Sequence, residues 1–118
     1  MLSGVYRVCF HGPLEAGKGI MYAKNGRIVG GDSWYVYGGI FDIVGDRVSA
    51  TIHVINDDQS PAGTFGRLTD FVMTISGRAS RCGFELEGSP EGHPQQRFSV
   101  QWVMLRPDEL AQAFSKNG

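Results

Sequence analysis

Apolar and polar residues alternate with a period of two through most of this 118-residue chain. That period suits an extended strand with one buried face, not a helix. Residues 4–10 set the pattern, with Tyr6, Val8 and Phe10 on one face and Val5, Arg7 and Cys9 on the other. Asn25-Gly26 separates the runs 19–24 and 27–30, and this pair tolerates the positive φ angles of a type I′ hairpin turn. A β-branched and aromatic run follows at 34–44, and Gly38-Gly39 in its middle implies a bend or bulge. Gly45-Asp46 turns the chain into the run 47–55, where Val48, Ala50, Ile52 and Val54 oppose Ser49, Thr51 and His53.

Residues 56–65 carry Asp, Ser, Pro and Gly and read as a loop. A sixth strand is expected over 68–75, a tight turn at Ser76-Gly77, and a seventh strand over 78–87 with Cys82, Phe84 and Leu86 on one face. A second long loop spans 88–95. An eighth strand follows over 97–105, with Phe98, Val100, Trp102 and Met104 turned inward. Pro107, Asp108 and Glu109 suit the first turn of a helix over about 107–115, and Lys116 suits its far end. Leu110 and Phe114 would share the docking face of that helix.

The expected fold is therefore all-β: an eight-stranded antiparallel up-and-down barrel in a single domain over 1–118, with strands within 4–105 and a short C-terminal helix. Closure removes exposed edges; a two-layer sandwich is the alternative. The chain is 42% apolar and 11% aromatic, enough for one core. Seventeen glycines against five prolines, spread along the chain, read as turns and bulges.

Charge and cysteine usage narrow the function classes. The net charge is −1, the isoelectric point is near 6.3, and no basic cluster occurs, which argues against direct nucleic-acid binding. No apolar run reaches the length of a membrane span and no leader precedes the first strand, so a cytoplasmic, non-membrane protein is expected. Cys9 and Cys82 read as buried free thiols, or as a disulfide if their strands lie side by side.

Candidate chemistry is sparse. Residues 12–18, Gly-Pro-Leu-Glu-Ala-Gly-Lys, fit a phosphate loop up to the lysine, but Gly19 stands where a Ser or Thr is needed and a strand, not a helix, is expected next. His11, His53 and His93 have no partner at a metal-ligand spacing, so neither metal nor cofactor is expected. His53 reads as a strand histidine beside Thr51, or as an acid/base group. Ser60 and Ser80 lack a nucleophile elbow, and no carboxylate pair is set by spacing among Asp57, Asp58, Glu85 and Glu87. The chain is not expected to be an enzyme; were it one, His53 or His11 at the barrel mouth would be the acid/base. Tyr22, Trp34, Tyr35 and Tyr37 either form an outer contact surface or pack into one barrel end. Tyr6, Phe10, Phe98, Trp102 and Met104 would line any cavity for a small apolar ligand. Phe71 and Met73 read as apolar residues on both faces of one strand, surface that a homodimer would hide.

Residues 4–6 leading to Phe10, then Gly17-Lys18-Gly19-Ile20, Lys24-Asn25-Gly26, Gly30-Gly31-Asp32, Tyr37-Gly38-Gly39 and Ile52-His53-Val54, resemble in order and spacing the GrlR-like family, small negative regulators of type III secretion loci. The resemblance covers the first half of the chain. It implies a lipocalin-like barrel that dimerises and represses by binding a helix-turn-helix transcriptional activator protein without touching DNA. In that family the turn between the fourth and fifth strands carries a short acidic run that meets the activator. Here residues 41–47 carry Asp42 and Asp46 separated by apolar residues and followed by Arg47. Asp42, Asp46, Arg47, Tyr35 and Tyr37 are the candidate partner-binding residues.

Overall fold

A computed structural model describes residues 3–12, 16–56 and 69–107. Eight strands run in chain order around a closed barrel: β1 (Gly4–His11), β2 (Ala16–Lys24), β3 (Arg27–Gly31), β4 (Tyr35–Val44), β5 (Arg47–Asn56), β6 (Asp70–Ala79), β7 (Gly83–Pro90) and β8 (Phe98–Pro107). Every neighbouring pair is antiparallel, and β8 closes on β1 from Phe10↔Val100 to Gly4↔Pro107. Closure satisfies the backbone groups that a sandwich would leave on its edges.

The turns follow their local chemistry. Asn25 (φ 53°) and Gly26 (φ 77°) adopt the paired positive angles of a type I′ hairpin. Gly45 (φ 65°) takes the positive position of the β4–β5 turn, as a type II′ turn requires of its first central residue. The Asp46 carbonyl then accepts from the Ala79 amide at 2.7 Å, which ties this turn to the end of β6.

The core lies inside the barrel, where the alternation places it. Along β5, Val48, Ala50, Ile52, Val54 and Asn56 are buried and every intervening residue is exposed. Tyr6, Val8 and Phe10 line the interior beside Met21 of β2 and Trp102 of β8, their register neighbours, with Phe98 in the same core. Edge-to-face contacts of Phe84 with Trp102 (6.2 Å between centroids) and Tyr35 with Phe71 (6.4 Å) fill the space between.

Several sequence expectations are corrected. Ser76-Gly77 is not a turn: β6 runs on to Ala79, and the reversal falls at Ser80–Cys82, where the Ser80 amide donates to the Gly83 carbonyl at 2.8 Å. Gly77 serves backbone packing instead, since a Cβ there would stand 1.8 Å from the Glu85 carbonyl oxygen. The shift takes Cys82 off the β7 face and into the turn, where it is exposed; Cys9 is half-buried on the outer face of β1, and both are free thiols. Gly88, Ser89 and Pro90 belong to β7, not to the loop. Gly38-Gly39 makes no bulge, for the β3–β4 and β4–β5 registers run through it unbroken. The one register shift described lies between Val5 and Tyr6 opposite β8, leaving Leu105 as the extra residue. Phe71 and Met73 share one face and are both buried, so neither offers surface to a second copy. The helix expected over about 107–115 lies, from 108 on, outside the described residues; Pro107 itself ends β8.

Candidate functional site

Tyr35 and Tyr37 stand two apart on β4 and share its inward face with Phe41 and Ile43. Tyr35 is fully buried, and Tyr37 is packed against the core with a buried hydroxyl. The two tyrosines therefore do not form an outer contact surface; with Trp34 they pack into one barrel end. Tyr22 alone of the aromatic group lies on the outer face, half-buried.

Asp42, Asp46 and Arg47 are all exposed. Asp42 and Arg47 enter an open groove of about 870 Å³ that crosses the outside of the barrel, lined by residues of β1 and of β4 to β8. Asp46 sits at the turn beside it. Strand registers order the groove into two rows. One runs Arg47, Arg78, Glu85, Gln101, Cys9 and the other Asp42, Ser49, Ser76, Glu87, Ser99, His11, each residue opposite the next. The first row places two arginines directly across from one another. Like charges in that position are destabilising, and neither arginine forms an ion pair with a described residue. Glu87 is engaged by Arg97 at 3.3 Å.

A groove of this kind offers charged side chains and a floor of small hydroxyls. Among the described residues no group of three His, Cys, Asp or Glu side chains could hold a metal ion. His53 shares the outer face of β5 with Thr51, away from the barrel mouth, and its Nε2 meets the exposed carboxylate of Asp70. His93 lies in the β7–β8 turn, its amide bonded to the Pro90 carbonyl at 3.0 Å. The phosphate-loop-like run leads into β2 from Ala16 onward, so Lys18 stands on a strand paired with Cys9 and not at a helix N-terminus.

The interior is nearly filled. Among the described residues an apolar cavity of about 50 Å³ is lined by Phe10, Phe98 and Trp102 among others; Tyr6 and Met104 belong to the core packing but not to its wall. Burial pushes the Tyr6 phenol up to about 12.

A second outer surface was not foreseen from the sequence. Ile20, Val36 and Ile55 are exposed in one cross-strand row over β2 to β5; Val29 (62% exposed) stands in the next row with Tyr22 and His53, and Ile40 (59% exposed) in the row beyond with Lys24, Arg27 and Thr51. Gly31 and Gly38 interleave with them, so little projects from the middle of this face. Among the described residues no helix is long and apolar enough to cross a membrane.

Arg78 and Gln101 in the groove escaped the sequence reading, which weighed Glu85 and Glu87 only as a carboxylate pair. The β5–β6 register aligns Arg78 with Arg47, and the β6–β7 and β7–β8 registers add Glu85 and Gln101; reading Ser76-Gly77 as a turn obscured all three. No family model matches the chain, and no curated protein matches it.

Proposed function

We propose that this barrel is a non-enzymatic regulatory domain that acts by binding another protein through its outer groove. The observation that carries this reading is the Arg47–Arg78 pair, exposed, set opposite one another across β5 and β6, and forming no ion pair with a described residue even though Glu85 stands opposite Arg78 in the same row. An acidic segment of a partner would neutralise both guanidinium groups, which present planar donor forks suited to carboxylates. Asp42 and Asp46 on the adjoining hairpin give the rim a second sign of charge, and rim charges of mixed sign favour orientation and register over raw affinity.

The resemblance to GrlR-like repressors, with their lipocalin-like barrels, points to a helix-turn-helix transcriptional activator as that partner and to the cytoplasm as the place of action. The absence of a basic cluster from the sequence agrees with binding an activator protein rather than DNA. Self-association is part of the same proposal, with the exposed Ile20, Val36, Ile55 and Val29 of β2 to β5 as the interface, since exposed apolar surface marks interaction sites.

The test is affinity capture from the native host with wild-type protein and with Arg47→Glu/Arg78→Glu. Recovery of a transcriptional activator by the wild type and its loss with the variant are expected. Recovery of none, or equal recovery by both, would overturn the reading.

A further inference from the structure

The outer groove runs across the strands, not along them. Its two rows step from β4 through β5, β6, β7 and β8 to β1, each residue opposite the next. Between the rows the floor is formed by Val48, Gly77, Leu86 and Val100, again in register. Val48, Leu86 and Val100 are buried in the core and Gly77 has no side chain, so the strip between the rows is bare backbone. Neighbouring strands lie about 4.8 Å apart, so six of them span about 24 Å, the length of a helix of about 16 residues.

Strand addition by a partner needs a free sheet edge, and a closed barrel in which β8 pairs with β1 offers none. Recognition in the groove therefore falls to side chains, and the repeat of the bound segment has to match the strand spacing. Same-face residues recur about every 6.8 Å along an extended strand and about every 9 Å along a polyproline helix. On an α-helix, residues three and four apart share a face and advance about 4.5–6 Å along the axis. Only the α-helix keeps step with successive strands.

We infer that the groove takes one α-helix of the partner protein, laid across the strands, with acidic residues at i and i+4 and a basic residue at i+7 meeting Arg47, Arg78 and Glu85 in turn. Those three charges stand consecutively in one row, and none forms an ion pair with a described residue. In the parallel row Ser49 and Ser76 are uncharged, Glu87 is engaged by Arg97, and Asp42 stands one strand further out on β4. Small residues on the helix face between the rows would rest on the bare floor. A helical partner segment presupposes that the groove is the partner-binding site and adds to that reading a conformation and an order of charges.

The experiment is fluorescence anisotropy of the full chain with a labelled, alanine-rich helical peptide of about 16 residues, carrying Glu, Glu and Lys at i, i+4 and i+7. One control peptide exchanges the signs; another keeps the charges and places a proline mid-helix, which breaks it. At low ionic strength the probe is expected to bind about tenfold tighter than either control, and the preference over the sign-exchanged peptide should shrink as salt rises. Arg47→Glu/Arg78→Glu should turn that preference toward the sign-exchanged peptide. Equal binding of the proline peptide, or no binding of any peptide, would overturn the helix while affinity capture of the activator still decides the groove. Equal binding of the two signs by the wild type would overturn the charge order. NMR of the wild type with the probe reads the site without a variant that must fold. Amide shifts running across Arg47, Arg78 and Glu85 are expected; shifts confined to β2 and β3 would overturn the proposal.

Discussion

At the scale of single residues, strand packing here is decided by atoms that are absent as much as by those present. Gly39 faces inward on β4, and a Cβ there would lie 2.1 Å from the Thr51 carbonyl oxygen and 2.9 Å from Ile52 Cα. Both are backbone atoms, which cannot rotate away. Gly39→Ala should therefore cost about 1–3 kcal/mol in urea unfolding, whereas a Gly38→Ala change, with only the Ile28 carbonyl oxygen at 3.5 Å, should cost far less. Equal effects would show that the inward approach of β5 is misplaced. The phenols set an alkaline limit. Tyr6 is held up to about 12 by burial, against about 10 in an unfolded chain. The folded state thus keeps a proton that the unfolded state has released, so stability is fully present below pH ~10 and falls as pH rises toward ~12. Denaturation midpoints followed across that interval should decline, and a flat profile would contradict the burial of the phenol. The same scale shows where sequence reading stops: Asp32 entered it only as the end of the Gly30-Gly31-Asp32 motif, and nothing in its neighbours revealed that one of its oxygens is buried without a hydrogen-bond partner.

At the scale of elements, legibility followed how one-sided each strand is. β5 alternates cleanly, and its core face was readable residue by residue. β4 carries apolar side chains on both faces, Tyr35, Tyr37, Phe41 and Ile43 inward and Val36, Ile40 and Val44 outward. Its parity was therefore ambiguous, and the tyrosines could be read on either side. β6 and β7 were misread because Ser76-Gly77 has turn chemistry locally, while the glycine is needed by the close approach of a neighbouring strand, a tertiary fact. That register error concealed the opposition of Arg47 and Arg78 across β5 and β6. Relieving it gives a prediction at this scale: Arg47→Glu should stabilise the isolated barrel by about 0.2–1 kcal/mol, the size of a cross-strand charge pair, while weakening partner binding. A thermal melt showing destabilisation would mean that the two guanidinium groups do not repel each other in the fold.

At the scale of the whole molecule, closure places an almost filled core inside and two contrasting surfaces outside, a charged groove reaching from β4 round to β1 and an apolar face over β2 to β5. The barrel itself was legible, because eight alternating runs with a last strand free to meet the first have few other ways to bury their edges. The surfaces were not, since each is assembled from strands distant in sequence. If the apolar face joins two copies, Val29→Lys/Ile40→Lys should convert a dimer into a monomer in sedimentation without lowering the melting temperature; a wild type that sediments as a monomer at all concentrations would rule this out. The central claim is that the protein works from its charged outer groove. Quantitative affinity capture from the native host tests it most directly, comparing wild type with Arg47→Glu/Arg78→Glu under conditions where both are folded. A transcriptional activator enriched by the wild type and reduced to background by the variant is expected. Equal enrichment, or none with either protein, would contradict it.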